Sequence, residues 1–226
     1  MTQPTEFNYE IKGQPDFSYL TVHLEAGQTI KAEASAMTSM DTNISMATKF
    51  KGGFKRFFGG ESIFINEFTA DQFAGQLTLA GGVMGDIVPV HLDNQTIFIQ
   101  SGGFLASGMG IQVDTKWQGM IKGFFSGAGL FLLKCSGKGD VFMSTFGGLI
   151  PIEVNGDYVV DNNHLVAFTE GLEYNITKVA GYKSFFFSGE GLVTRFTGQG
   201  RVWVQTHQYP AFASWIWPFR PQRNSN

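Results

Sequence analysis

One cysteine, Cys135, in a chain of 226 residues rules out an internal disulfide. It follows the apolar run 130–133, so a small buried hydrophobe is expected there rather than a nucleophile. Charge is scarce too. Asp, Glu, Lys and Arg supply 15% of the residues, where roughly 25% is usual. The net charge of −3 offers no general attraction for phosphate backbones, so nucleic acid is not an expected partner without a local basic patch. Long apolar runs are also missing. The longest candidate, 119–133, is interrupted by Lys122 and four glycines, too broken for a membrane span. The first ten residues lack a charged-then-apolar pattern, and the expected location is cytoplasmic, with any membrane association peripheral. No Gly-x-Ser-x-Gly elbow or His-Glu-x-x-His pair occurs, and the four histidines, His23, His91, His164 and His207, lack metal-ligand spacing. No enzyme, metal or cofactor is expected from these patterns. Gly81-Gly82-Val83-Met84-Gly85-Asp86 lacks the Lys-Ser/Thr ending of a phosphate loop and reads as a connector.

Glycine and phenylalanine fill the space, with 29 and 23 copies. Little polar material is left to cover a monomer, which points to a homo-oligomer or an apolar-surface partner. One phrase is written three times. Thr48-Lys49-x-x-Gly52, Thr115-Lys116-x-x-Gly119 and Thr177-Lys178-x-x-Gly181 lead to Phe57-Phe58, Phe124-Phe125 and Phe186-Phe187, and from lysine to closing glycine each copy spans 11 residues. Ile87-Val88-Pro89-Val90-His91-Leu92 answers to Leu149-Ile150-Pro151-Ile152-Glu153-Val154, 62 residues on. A fixed period means that one supersecondary unit is repeated. Short apolar runs with period two, such as Val141/Met143 and Val202/Val204, mark the unit as β. Turns are expected at 93–95 and 155–157, and hairpins at 136–140 and 197–201. The chain is therefore expected to be all-β, with three β repeats closing around a common core with pseudo-threefold symmetry. Residues 1–207 form one domain, in repeats of about 1–91, 92–153 and 154–207, followed by an aromatic-rich tail, 208–226. Two stretches read as helical: a turn around 118–125, and 210–217, where Pro210 suits a first helical position and Phe212, Trp215, Ile216 and Phe219 share one face.

Several motifs together resemble the bacterial branch of the altered inheritance of mitochondria family. They include Lys116-Trp117-x-Gly119, Gly123-Phe124-Phe125-Ser126-Gly127-x-Gly129, His164-Leu165-Val166-Ala167-Phe168, Gly189-Glu190-Gly191-Leu192-Val193 and Phe196-Thr197-Gly198-x-Gly200-x-Val202-Trp203. The resemblance covers roughly residues 5 to 207. It implies a β fold like that of the tryptophan RNA-binding attenuator protein. It also implies membership of a family long filed as a domain of unknown function, whose eukaryotic relatives are associated with mitochondrial biogenesis and inner-membrane organisation. It implies no catalytic residues and no cofactor.

Two groups of residues are candidate surface or partner contacts. Lys55, Lys122 and Lys183 precede the pairs Phe57/Phe58, Phe124/Phe125 and Phe186/Phe187, and a cation beside exposed aromatics suits an anionic interface. The simpler reading plugs the core with the Phe pairs while the lysines reach outward. Trp215, Trp217 and Phe219, near Arg220 and Arg223, form either a lid on the core or a contact for a protein or membrane partner. The leading functional reading is a non-enzymatic scaffold or interaction protein, at a membrane surface or in a homo-oligomer. The alternatives are RNA binding, by fold analogy, and a small-ligand binder or enzyme with a pocket between repeats.

Overall fold

Single residues that accept a left-handed backbone decide where these strands bend. A computed structural model of the chain describes residues 5–51, 63–114, 131–178 and 192–221, and among these residues the fold is almost entirely antiparallel β. Four strands are long. They are β8 (Ile87–Gln100), β11 (Leu132–Ser144), β12 (Leu149–Asp161) and β15 (Leu192–Gln205). β8 pairs with β11 from Ile87↔Ser144 to Gln100↔Leu132, and β12 pairs with β15 from Leu149↔Gln205 to Asp161↔Val193.

The turns expected at 93–95 and 155–157 and the hairpins expected at 136–140 and 197–201 do not form. All four stretches lie inside the long strands, where Asn94 (φ 56°), Gly137 (φ 128°), Gly156 (φ 111°) and Gly198 (φ 123°) bend the backbone. A register shift between Gly137 and Lys138 marks a bulge. Glycine and asparagine carry the same local signal in a turn and in a bulge; here the flanking pairs continue on both sides, and the strand stays whole.

The shorter strands attach to these two ladders. β9 (Phe104–Gly108) and β10 (Ile111–Asp114) both pair with β11, whereas β13 (Leu165–Thr169) and β14 (Leu172–Lys178) both pair with β15. Near the N-terminus the corresponding ladder is cut in two by turns. β2 (Tyr19–Leu24) pairs with β7 (Gly75–Ala80), and β3 (Thr29–Glu33) with β6 (Ile63–Ala70); β4 (Met37–Met40) adds to β7, β5 (Ile44–Lys51) to β6 and β1 (Asn8–Lys12) to β2. The outcome is a four-stranded sheet, β1-β2-β7-β4, and an eleven-stranded sheet running from β12 to β5.

Both faces of the central strands are buried, so they read as continuous apolar runs rather than strict alternations. Leu20, Val22, Leu77 and Leu79 of the small sheet pack with Ile30, Phe68, Leu105 and Phe142 of the large one. Ile97 and Ile99 of β8 face a second cluster with Val141, Met143 and Trp203. Between them Phe98 faces a third, stacked 5.0 Å from Phe168, which lies 5.1 Å from Phe196. Cys135 belongs to the second cluster and is wholly buried, the place expected for it. Burial pushes its thiol up to about 12, leaving almost no thiolate at neutral pH. A disulfide reagent should therefore leave the native protein unlabelled and titrate one thiol in denaturant; rapid native labelling would contradict this placement.

Candidate functional site

Past β15 the chain turns into the only α-helix among the described residues. Gln208 is extended and Pro210 occupies the first turn of α1 (Tyr209–Ile216), where its missing N–H costs nothing. A 3-10 turn (Trp217–Phe219) follows, closed by the Arg220 N–H donating to the Trp217 carbonyl at 3.3 Å. The helix expected over 210–217 is thus present, offset by one residue at each end.

This segment is rooted at one end only. Phe146, buried on the core, lies 5.4 Å from the rings of Tyr209 and His207 and 5.2 Å from Phe212. The His207 N–H donates to the Phe146 carbonyl at 3.1 Å. Outward from Phe212 the aromatic chain continues to Trp215 at 6.0 Å and Phe219 at 5.8 Å beyond it. No residue of α1 is buried. Trp215 is 65% exposed, Trp217 62% and Phe219 74%. Arg220 sits over the Trp217 ring at 3.6 Å, a cation–π contact. Residues 209–226 contain Arg220 and Arg223 and no acidic residue.

Under the root lies Glu33, at the end of β3. Burial pushes its carboxyl from 4.5 up to about 7, and its charge, after burial itself, raises the Tyr209 hydroxyl. Because folding favours the protonated carboxyl, its stabilisation is complete below about 4.5 and is lost as pH rises through about 7. Between those limits the loss is about 3 kcal/mol. Burial raises Glu6 in the same direction, so Glu33→Gln should flatten the pH dependence of the melting temperature without abolishing it. An unchanged slope in that variant would place the titrating group elsewhere.

A second polar cluster gathers residues that no motif links. Asp140 is 2% exposed and stands directly opposite His91 on β8 and β11. Its carboxylate accepts the Glu6 N–H at 2.8 Å, the Phe7 N–H at 3.2 Å and His91 Nδ1 at 2.7 Å. The Glu6 carboxylate in turn accepts the Asp140 N–H at 3.3 Å. Gly108 and Gly139 make room for that carboxylate, since a Cβ on either would collide with Glu6 Oε2. Buried Lys31 donates to the carbonyls of Met109 and Ile111. The cluster clamps the N-terminal segment to the core: Asp140 Oδ2 takes both backbone N–H groups and Oδ1 bonds His91. His164 bonds to the Gln205 carbonyl oxygen, and His207 to Thr206. Among the described residues no group of three His, Cys, Asp or Glu side chains could hold a metal, and no helix is long and apolar enough to cross a membrane.

Of the twelve residues singled out in the sequence, Trp215, Trp217 and Phe219 come together on this segment. Lys55, Phe57, Phe58, Lys122, Phe124, Phe125, Lys183, Phe186 and Phe187, and the helical turn expected around 118–125, lie outside the described residues. Comparison with known proteins places the whole chain among relatives. An uncharacterized protein of Streptococcus pyogenes serotype M6 is 28% identical over 226 residues, 94% of this chain and 91% of its own length. The crystal structure of a Streptococcus pyogenes protein superposes with a TM-score of 0.79 at 25% identity, covering 95% of this chain and 100% of that one. The family model described as mitochondrial biogenesis AIM24 matches residues 9–207, and the chain belongs to that family.

Proposed function

We propose that this protein is a non-enzymatic interaction protein whose C-terminal aromatic segment docks on an anionic membrane surface. One observation carries the reading: a helix and the 3-10 turn after it, neither with a buried residue, hold Trp215, Trp217 and Phe219 in solvent beside Arg220, with no acidic residue near them in sequence. A soluble partner's groove would be served by any exposed apolar face. The combination of Trp rings, which favour the headgroup region, with cations and no anions suits an anionic lipid interface better. The β body is the carrier, built from three copies of one unit. The common pairing scheme of β11 with β8, β9 and β10, and of β15 with β12, β13 and β14, supports that reading. The commitment of the Asp140 carboxylate to backbone N–H groups favours a structural role for the Asp140–His91 pair. The family's description, mitochondrial biogenesis, agrees with work at a membrane.

Flotation tests it. Intact protein should rise with vesicles containing anionic lipid, stay below with purely zwitterionic ones, and be released by salt. Failure to float with anionic vesicles at low salt would remove the proposal.

A further inference from the structure

Three short strands occupy like positions beside a long ladder, and only two of them are paired on both edges. β9 lies against β11 through Ser107↔Val141 and Ala106↔Phe142, and β13 against β15 through Phe168↔Val202 and Ala167↔Trp203. β4 lies against β7 in the same way, through Met40↔Leu77 and Ser39↔Thr78, and each pairing carries one register irregularity. On its far edge β9 also pairs with β3, with Ser107 opposite Lys31. On its far edge β13 pairs with β8, with Phe168 opposite Phe98. The far edge of β4 has no strand on it among the described residues. All five residues of β9 are buried and all four of β4 are exposed.

The missing neighbour has a counterpart in the same chain. The Ala34, Ser101 and Asn162 N–H groups each close their strand by donating to Phe64, Phe131 and Leu192 carbonyls, at 2.9, 2.7 and 3.0 Å. Lys31, Phe98 and Val159 each stand three residues before that closure. Lys31 and Phe98 are buried beneath β9 and β13, whereas Val159 is 49% exposed and Tyr158 beside it 40%. β12 ends the eleven-stranded sheet, with no strand on its outer edge among the described residues. Exposed edges are normally guarded by charge or proline. β1 has Glu10 and Lys12, but Met37-Thr38-Ser39-Met40 and Tyr158-Val159-Val160 have neither.

We infer that β4 of one copy of this chain pairs with residues 158–160 of β12 in a second copy, Met40 opposite Val159 and Ser39 opposite Val160. A second copy is the occupant because the chain itself carries both halves of a join that it makes twice internally. The smallest closed form is a twofold pair in which each β4 lies on the other copy's β12; made once per copy, the same contact would run head-to-tail into a ring or filament. In the internal joins the residues at these places face each other directly, close enough for cross-strand side chains to touch.

Two variants test this on the intact protein: Met40→Cys and Val159→Cys, both at exposed sites, with Cys135 buried. Mixed and mildly oxidised, they should give a covalent two-chain product in large excess over either variant alone. Sedimentation of the wild type should give more than one chain per particle, and Met40→Lys should return it to one chain. A single-chain mass at every concentration with no cross-link would overturn the inference. So would a Met40→Cys/Val159→Cys double variant that oxidises only within one chain, since the join would then close inside a single copy.

Discussion

Asp140→Ala should be among the most destabilising single substitutions in this protein, costing about 3–5 kcal/mol and lowering the melting temperature by about 10 °C. The carboxylate is 2% exposed and accepts three hydrogen bonds, two from backbone N–H groups of Glu6 and Phe7 and one from His91. Removing it strands all three donors where water cannot easily reach them, and an unmet buried donor costs more than the hydrogen bond itself was worth. The loss also frees the segment that places Phe7 in the core and sets Tyr9 edge-on to Phe142 at 4.9 Å. His91→Ala removes one donor and leaves the two backbone bonds, so it should cost less. The Asp140→Ala/His91→Ala pair should be less destabilising than the sum, because the two share one contact. A melting temperature for Asp140→Ala within a degree or so of wild type would mean that water replaces the carboxylate and that the clamp is weak.

Trp215→Ala/Trp217→Ala/Phe219→Ala should do the opposite: leave folding intact and remove membrane binding. Neither α1 nor the 3-10 turn after it has a buried residue, so the three rings contribute little to the core, and the melting temperature should change little. In the proposed docked state each aromatic ring transfers a large apolar area. At about 25 cal/mol per Å², even partial burial of three rings lowers the vesicle partition coefficient by about 100-fold or more when they are deleted. Arg220→Gln should instead weaken binding several-fold and reduce its salt dependence. A triple variant that melts early but binds normally would make the segment a lid on Phe146 rather than a docking element.

The body and the tail differ in how far the residues alone disclose them. Period-two runs such as Val141/Met143 predict strands and β11 forms there; Pro210 followed by Phe212, Trp215 and Ile216 predicts a helix and α1 forms there. Both signals are local, carried by side-chain spacing and backbone permission. Asn155-Gly156 misleads because the positive-φ bend at Gly156 inside β12 asks the same of the backbone as a turn, and only the continuous pairing with β15 distinguishes them. Asp140 was beyond reach for another reason. Its donors on Glu6 and Phe7 lie 134 and 133 residues away, and Ser-Gly-Lys-Gly-Asp reads locally as a polar turn. The free edges of β4 and β12 were equally hidden, since exposure of a strand depends on which other strand fails to arrive.

Fluorescence of Trp215 and Trp217 on vesicles with brominated acyl chains tests the membrane reading most directly. Trp203 is buried at 4% exposure and should not respond; with Trp117, the chain's fourth tryptophan, replaced by Phe in both samples, a Trp215→Phe/Trp217→Phe variant gives the background. The intact protein should blue-shift and be quenched on anionic brominated vesicles, and the variant should show neither effect. Equal emission from the two proteins, unchanged by lipid, would contradict the account.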